Sequence, residues 1–473
     1  MFVKNMLEDV KNTNSKNEFE RQPVPKSNRK DWRSFLGMYA GEHTAGTEFM
    51  IGPLFLTTGV SAFDLIVGLL LGNFLAVISW RFLTAPIATN LRLTLYYQLE
   101  KICGKNLVII YNLANGLLFC FLAGAMITVA ATAVGVPFDM NMPALSDNYP
   151  TNITWVLVVL AVGAVISYVA ARGYNLVSRF SNIAAPWMIL VFIACGIVAI
   201  IRLDVHSFGE FWAIWGDGMS PVGGQTKFTF WHVVFWSWLV NAAMHIGMSD
   251  LTVFRYAKNP STGWTTAAGM YVGHYIAWIC AALLYVLYLK TPEAAQFLAN
   301  GEAPPVSPGP MAYDAVGISG LICVVVAGWT TANPTIYRAG LAFQAVIPKA
   351  STFWVTILAG SLATVAGLFP AVAMKLLGFV ALYGFILAPM GAIIVFEHFF
   401  ARRMGITTNY AEQSGVQVNL AVLLAWAISF AIFYYISWSQ DIFLSFLTLP
   451  AWISCGVLFL VLSKYLNIKG LKD

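Results

Sequence analysis

Charged residues are scarce in this sequence. Aspartate, glutamate, lysine and arginine make up 10% of its 473 residues, whereas soluble domains carry about 25%. A chain with so few charges is ill suited to a water-exposed surface, and 59% of its residues are hydrophobic. The composition excludes an ordinary soluble protein and indicates an integral membrane protein.

Enzyme and metal-cluster motifs are also missing. The sequence contains no HExxH, no GxSxG and no phosphate-binding loop, and its six cysteines show no CxxC spacing. Scattered cysteines of this kind are better explained as small buried apolar residues than as disulfide partners or metal ligands. We therefore expect neither enzymatic activity nor a bound cofactor.

Long apolar runs take the place of these motifs. About twelve of them, from Ser34 almost to the C-terminus, are long enough to cross a roughly 30 Å hydrocarbon core as helices. The expected spans, numbered 1 to 12, are 34–60, 63–84, 106–134, 152–172, 183–202, 229–252, 264–290, 312–340, 353–373, 375–399, 418–438 and 441–465. The sequence predicts an all-α multi-pass protein with the lipid bilayer as its surroundings.

The distribution of basic residues predicts its orientation. Residues 1–33 are polar and lack the apolar core of a signal peptide, so we expect a flexible cytoplasmic tail. With that tail inside, 23 of the 27 lysines and arginines fall in the tail, the alternate loops and the C-terminus, as the positive-inside rule requires. Both termini are therefore expected in the cytoplasm, in a cell membrane (inner or plasma). The net charge of +5 reflects this topology and not nucleic-acid binding.

Three polar interruptions stand inside the apolar runs. They are AGTEFMIGP (45–53) in span 1, VNAAMHIGMSD (240–250) in span 6 and GWTTANPTIY (328–337) in span 8. Such segments are tolerated in a bilayer only where they face protein or a water-filled cavity. Close packing between helices is the alternative explanation for small residues at these places.

The positions of the first two interruptions predict an internal repeat. Spans 1 and 6 are separated by five helices, as expected when two inverted five-helix repeats each begin with a broken helix. The expected organisation is a first repeat at 34–202, a second at 203–399, and two peripheral helices with a short tail at 400–473. In this arrangement the two breaks meet near the midplane and form a transport site.

Four segments resemble the nucleobase–cation symporter family. They are TTGVSAFDLIVGLLLGN (57–73), SDLTVFRYAKN (249–259), WTTANPTIYRAGLAF (329–343) and LGFVALYGFILAPMGAIIVFEHF (377–399). The resemblance extends from about Ser34 to the end of span 10. It implies a LeuT-like fold of five plus five helices with two extra helices. It also implies that a small planar heterocycle is imported by alternating access, driven by sodium or a proton. We expect the protein to be a monomer.

The resemblance also implies a sodium site. Two adjacent hydroxyl residues of span 8 match Thr330 and Thr331, and the carbonyl three residues earlier is that of Ala327. The two carbonyls of span 1 would lie near Gly46 and Phe49. Paired threonines also commonly bond their own helix backbone four residues back, which is the structural alternative.

Candidate substrate-binding residues come from spans 1, 3, 6 and 8. They are Glu48, Asn115, Phe119, Trp238, Asn241, His245 and Asn333. Aromatic faces and amide edges suit a flat ring that carries amide groups. The predicted stacking residue is Trp238, ahead of Phe119.

An acidic residue in the middle of span 1 needs a partner. An unpaired carboxylate at that depth costs about 2.5–3.5 kcal/mol, so Glu48 should meet a proton, the coupling ion or a cationic substrate. If ionised, it would favour a ring with an amino or amidine group. Glu42 and His43 lie nearer the cytoplasm, and one of them is a candidate gate residue.

The sequence departs from the family pattern in span 8. Ala332 follows the threonine pair where nucleobase permeases usually carry an asparagine, which leaves Asn333 as the single amide before Pro334. Two other functions therefore stay open: a LeuT-like symporter for an amine, vitamin or amino acid, and a non-transporting sensor on the same fold.

Overall fold

The computed structural model describes residues 19–466 apart from 146, 217, 219, 220 and 222–225. These residues are helices joined by short connections, with a single isolated β-bridge between Lys30 and Ala257. The prediction of an all-α multi-pass membrane protein is confirmed.

Nine helices in the described part of the chain are long and apolar enough to cross a membrane. They correspond to expected spans 2–5, 7, 8 and 10–12, and their bounds are Ala62–Leu91, Lys105–Phe138, Ile153–Ala171, Tyr174–Arg202, Pro260–Leu289, Ile318–Val346, Gly378–Met404, Leu420–Gln440 and Leu444–Leu466. Span 9 is a shorter apolar helix, Thr352–Gly367. The count of twelve crossings is not confirmed, because span 9 is too short to qualify and spans 1 and 6 are broken into short pieces.

Span 1 consists of two helices. Helix 1a is Arg33–Glu42, helix 1b is Glu48–Thr57, and residues 43–47 between them are not helical. Pro53 lies inside helix 1b and has no N–H to donate to the carbonyl four residues earlier. The break therefore frees backbone groups, and the proline leaves one more carbonyl, that of Phe49, without its usual partner.

Span 6 is interrupted in the same way. Helix 6a is Phe230–Leu239, a short turn covers Ala242–His245, and helix 6b is Leu251–Phe254. Met248 adopts a positive φ of 65°, a conformation that non-glycine residues seldom take. This strained turn directs the chain from the interruption into helix 6b.

Helix 1b approaches span 7 very closely at Gly52. A Cβ added there would lie 2.2 Å from the carbonyl oxygen of Trp278 and 2.8 Å from the nitrogen of Ala282. Only glycine allows this approach, because both neighbouring atoms belong to backbone. The contact sets the distance between Glu48 at the start of helix 1b and the side chain of Trp278.

A strap formed by residues 19–32 crosses the face predicted to be cytoplasmic. Arg255 donates to the carbonyl of Phe19 at 2.7 Å, the Val24 amide donates to Arg92 at 3.1 Å, and the Lys30 amide donates to Tyr256. The sequence predicts a flexible tail over 1–33. Residues 1–18 lie outside the described residues, whereas the strap is held because the ends of spans 2 and 6 offer it backbone partners.

We predict that Gly52→Ala impairs both folding and binding. The added methyl group must push helix 1b away from span 7, and overpacking of this kind typically costs about 1–3 kcal/mol. The thermal stability of the purified protein should fall clearly. The matched change Gly209→Ala, whose Cβ would meet only Ser207 Oγ at 3.9 Å, should leave it nearly unchanged. Equal stabilities for the two variants would contradict the tight approach.

Candidate functional site

A cavity of about 80 Å³ lies where the two interruptions meet. Its walls come from spans 1, 3, 6, 7, 8 and 10. The lining residues are Glu42, His43, Thr47, Glu48, Ile51, Leu122, Met126, Val240, Asn241, Ala243, Met244, His274, Trp278, Thr331, Thr335, Val380 and Tyr383. Since one water needs roughly 10–15 Å³ measured in this way, the space holds a solute of the size of a single small ring.

Glu48 and an aromatic pair from span 7 form one wall. The indole Nε1–H of Trp278 donates to Glu48 Oε2, and His274 Nε2 lies 3.8 Å from Glu48 Oε1. The two rings of span 7 stack on each other with centroids 4.2 Å apart and planes 16° apart. They are four residues apart on a helix, so they face the same side. The hydrogen bond to Glu48 fixes the indole plane at the cavity.

Three nitrogens around the cavity have no hydrogen-bond partner among the described residues. They are His43 Nε2, His274 Nδ1 and the Asn241 amide Nδ2. The other nitrogen of His43 lies 2.9 Å from the carbonyl of Tyr39, which favours the tautomer with its proton on Nδ1. Buried polar atoms are nearly always paired, so these atoms point to a ligand or water in the cavity.

A buried ion network closes the cavity on the side predicted to face the cytoplasm. Arg338 of span 8 donates through both terminal nitrogens to Glu42, and it donates to Asp250 Oδ1 at 2.7 Å. Tyr39 and Trp80 each donate to Asp250 Oδ2 at 2.7 Å. The network joins the end of helix 1a to the residue before helix 6b.

Four oxygens gather between spans 1 and 8. The Thr331 hydroxyl donates to the carbonyl of Glu42 at 2.8 Å and lies 3.2 Å from that of Ala327. The Thr330 hydroxyl lies 3.0 Å from the same Ala327 carbonyl. Thr331 therefore reaches span 1 in addition to its own backbone, whereas Thr330 contacts its own backbone and the sulfur of Met188 in span 5. The chemistry of the set, two carbonyls and two hydroxyls, fits a hard cation.

The two other predicted cation ligands lie close by on span 1. Gly46 packs on span 8, where an added Cβ would lie 3.0 Å from the carbonyl of Val324. The ring of Phe49 stacks on Phe192 of span 5 at 4.2 Å. The carbonyl in contact with Thr331 is instead that of Glu42, which the sequence did not indicate. Gly46 and Phe49 stay predictions.

Asn115 and Phe119 of span 3 lie behind one cavity residue, Tyr383 of span 10. The Tyr383 hydroxyl donates to Asn115 Oδ1 at 2.9 Å, and its ring lies 5.2 Å from that of Phe119. Asn333 is buried as well, and its Oδ1 has no partner in the described part of the chain. None of these three residues lines the cavity.

Trp238 and His245 are bonded to one another away from the lining. The Trp238 indole donates to Ser79 at 3.1 Å, and its carbonyl lies 2.9 Å from His245 Nε2. The indole at the cavity is that of Trp278, which sequence reasoning missed together with His274 and Arg338. A signal was available, since a histidine and a tryptophan four residues apart are unusual in an otherwise apolar span.

An apolar chamber of about 230 Å³ adjoins the cavity on the opposite side from the ion network. Its walls are Ile51, Leu54, Phe55, Thr58, Phe228, Trp236, Gly378, Ala381 and Phe443. Ile51 belongs to both linings. The two spaces are therefore neighbours along helix 1b.

Comparison with known proteins gives a match at the level of structure. No protein-family model and no curated protein sequence matches the chain. The structure of Mhp1, a nucleobase-cation-symport-1 family transporter, in a closed conformation with bromovinylhydantoin bound, superposes with a TM-score of 0.69 over 94% of this chain and 95% of that one at 18% identity. The chain has the Mhp1 fold.

Two further structures support the same fold. Mhp1 in its inward-facing conformation matches with a TM-score of 0.65 at 16% identity, covering 94% of each chain. A substrate-bound, outward-open Na⁺-coupled sialic acid symporter matches with a TM-score of 0.64 at 13% identity, over 92% of this chain and 89% of that one. All three structures are of transporters and none is of an enzyme. The resemblance read from the sequence is thus confirmed at the level of the fold.

We predict that the ion network is essential for stability. Removing one partner of a buried ion pair leaves an uncompensated charge and costs about 3–5 kcal/mol, so Arg338→Met should strongly lower the thermal stability of the purified protein. Arg202→Met is the control, because Arg202 pairs with Asp314 at the surface, with side chains 42% and 71% exposed. Its effect should be about 0–1 kcal/mol. A mild effect of Arg338→Met would show that the network is dispensable.

Proposed function

We propose that the protein is a secondary transporter that imports a small planar heterocycle together with sodium. The observation that carries this proposal is the overlap of two sites. Glu42 and Thr331 line the cavity and also belong to the oxygen cluster between spans 1 and 8. A cation bound in the cluster and a solute bound in the cavity would share these residues, which is a direct route to coupled binding.

The cluster has the chemistry of a sodium site. Broken transport helices offer free carbonyls that coordinate cations, and here the carbonyl of Glu42 at the end of helix 1a meets the Thr331 hydroxyl of span 8. The described residues hold no group of three histidine, cysteine or acidic side chains suited to a transition metal. A hard monovalent ion that accepts neutral oxygens is the best-supported occupant.

The cavity supports a small flat solute. Trp278, His274 and Tyr383 supply aromatic surface, and Asn241 supplies an amide with an unpartnered nitrogen. Flat rings bury their faces on aromatic side chains while hydrogen bonds identify their edges. The resemblance to nucleobase–cation symporters and the likeness to Mhp1 with a bound hydantoin favour the same class.

Alternating access is supported by the asymmetry of the two ends of the cavity. On one side the Glu42–Arg338–Asp250 network fills the space with hydrogen bonds. On the other side lies the apolar chamber, whose walls can separate without leaving charged groups unpaired. This asymmetry supports a state that is sealed on the predicted cytoplasmic side.

The main alternative is a different small solute on the same fold. A sialic acid symporter and a manganese transporter from Eremococcus coleocola share this architecture at 13% and 12% identity, so the fold alone does not fix the substrate. A non-transporting sensor is the other alternative. Accumulation of a radiolabelled ring inside proteoliposomes separates a transporter from a sensor.

We predict that Thr331→Val raises the sodium concentration for half-maximal uptake at least ten-fold. Valine keeps the shape of threonine and removes the oxygen that meets the Glu42 carbonyl. Uptake of radiolabelled nucleobases by proteoliposomes over a sodium series measures the effect. Thr364→Val is the control, because the Thr364 hydroxyl bonds only the carbonyl of Gly360 in its own helix at 2.7 Å.

Two results would reject this prediction. The first is uptake that ignores sodium and collapses when a proton gradient is dissipated, which would assign coupling to protons. The second is an equal response of the two valine variants, which would remove Thr331 from the ion site.

A further inference from the structure

The cavity region carries an excess of negative charge. Three carboxylates, those of Glu42, Glu48 and Asp250, are each at most 3% exposed. Among the described residues the one lysine or arginine that contacts them is Arg338, through Glu42 and Asp250. With the histidines neutral, these four side chains sum to two negative charges. Unbalanced charge is expensive at membrane depth, so the two negative charges must be neutralised, either by protons or by positive charges that arrive with the transported species.

The coupling ion neutralises one of the two negative charges. Under the proposed function, this ion binds in the oxygen cluster between spans 1 and 8. The oxygen cluster includes the backbone carbonyl of Glu42. A cation there lies against the Glu42–Arg338–Asp250 network and neutralises its surplus carboxylate. The negative charge of Glu48, at the start of helix 1b, is then neutralised by the transported solute.

Glu48 has an open acceptor at the cavity. Its Oε2 accepts from Trp278, and the backbone of Ala45 also interacts with the carboxylate. His274 Nε2 lies 3.8 Å from Oε1, which is beyond hydrogen-bond distance. A carboxylate offers about four acceptor positions. It can therefore take two N–H donors that lie side by side, and this pairing is strongest when the donors carry positive charge.

The neighbours of Glu48 suit a cationic ring. The stacked pair of Trp278 and His274 presents aromatic surface beside the carboxylate, and cations are attracted to the face of an indole. Asn241 Nδ2 is a donor without a partner in the described part of the chain. It can serve an acceptor atom on another edge of the ring.

We propose that the substrate is a single ring with an amidinium edge, two adjacent N–H donors sharing a positive charge, which binds Glu48. This rests on the proposed function and names the substrate class of the same site. On this proposal the site prefers basic aminopyrimidine-like or aminopyridine-like rings to neutral dioxo rings such as uracil and hydantoin. Glu48 is the residue that determines this choice.

The test uses two rings of the same size. 2,4-Diaminopyrimidine and uracil differ in carrying two amino groups or two oxygens at the same positions. Their affinities for the purified full-length protein are measured by calorimetry in the presence of sodium at neutral pH. We expect 2,4-diaminopyrimidine to bind at least ten-fold more tightly than uracil. Glu48→Gln should remove this preference, and Glu48→Asp should keep it at weaker affinity.

Glu397→Gln is the matched control. Glu397 is also a buried acid, but it accepts from the backbone of Asn409 at 2.7 Å and does not line the cavity, so the ten-fold preference should persist. If Glu48→Gln does not fold, the inference is still tested by the ratio of the two affinities in the wild-type protein and in Glu48→Asp.

Tighter binding of uracil or hydantoin, or a preference that survives Glu48→Gln, would overturn the inference and leave heterocycle transport intact. Binding of betaine or leucine without binding of any ring would overturn the proposed function itself.

Discussion

Arg338 of span 8 joins the two broken helices through its guanidinium. It donates to Glu42, the last residue of helix 1a, and to Asp250, directly before helix 6b. Each break leaves backbone groups that water cannot reach in a bilayer, so the broken ends must be held by protein. The planar, permanently charged fork of arginine can bind two carboxylates at once. The positions of the cavity and the oxygen cluster follow from this junction.

The two candidate sites depend on each other because they share helix 1a. The side chain of Glu42 belongs to the ion network, its carbonyl meets Thr331, and the residue lines the cavity. Movement of helix 1a away from span 8 would therefore break the network and separate the candidate cation ligands in a single step. Such a shared element gives coupling between ion and solute a physical basis without a long-range pathway.

Much of the fold could be predicted from the sequence. Apolar runs gave the helices, and the interruption at 240–250 coincides with the break of span 6. The interruption at 45–53 only overlaps the break of span 1 at 43–47, and the one at 328–337 lies within the continuous helix Ile318–Val346. The number of membrane crossings was harder to predict from the sequence, because a broken span has the composition of a membrane helix but not the length of one continuous helix. The contacts of residues 19–32 could not be predicted either, because their backbone partners lie at the ends of spans that are distant in the sequence.

The candidate site was accessible only in part. Glu48 and Asn241 line the cavity and could be recognised because a polar residue inside an apolar run is conspicuous. Trp278 is one of 16 tryptophans, so it was hard to single out in the sequence. Its position beside Glu48 depends on the close approach of helix 1b at Gly52. The partners of Arg338 are 88 and 296 residues away in the chain, so periodicity within one helix carries no information about them.

A structure determined with sodium and a bound aminopyrimidine tests the central claim most directly. We expect ring density beside Trp278 within hydrogen-bond distance of Glu48. We also expect an ion among the carbonyls of Glu42 and Ala327 and the two threonine hydroxyls of span 8. A ring bound in the apolar chamber beside Phe228 and Phe443, with this cavity empty, would contradict it.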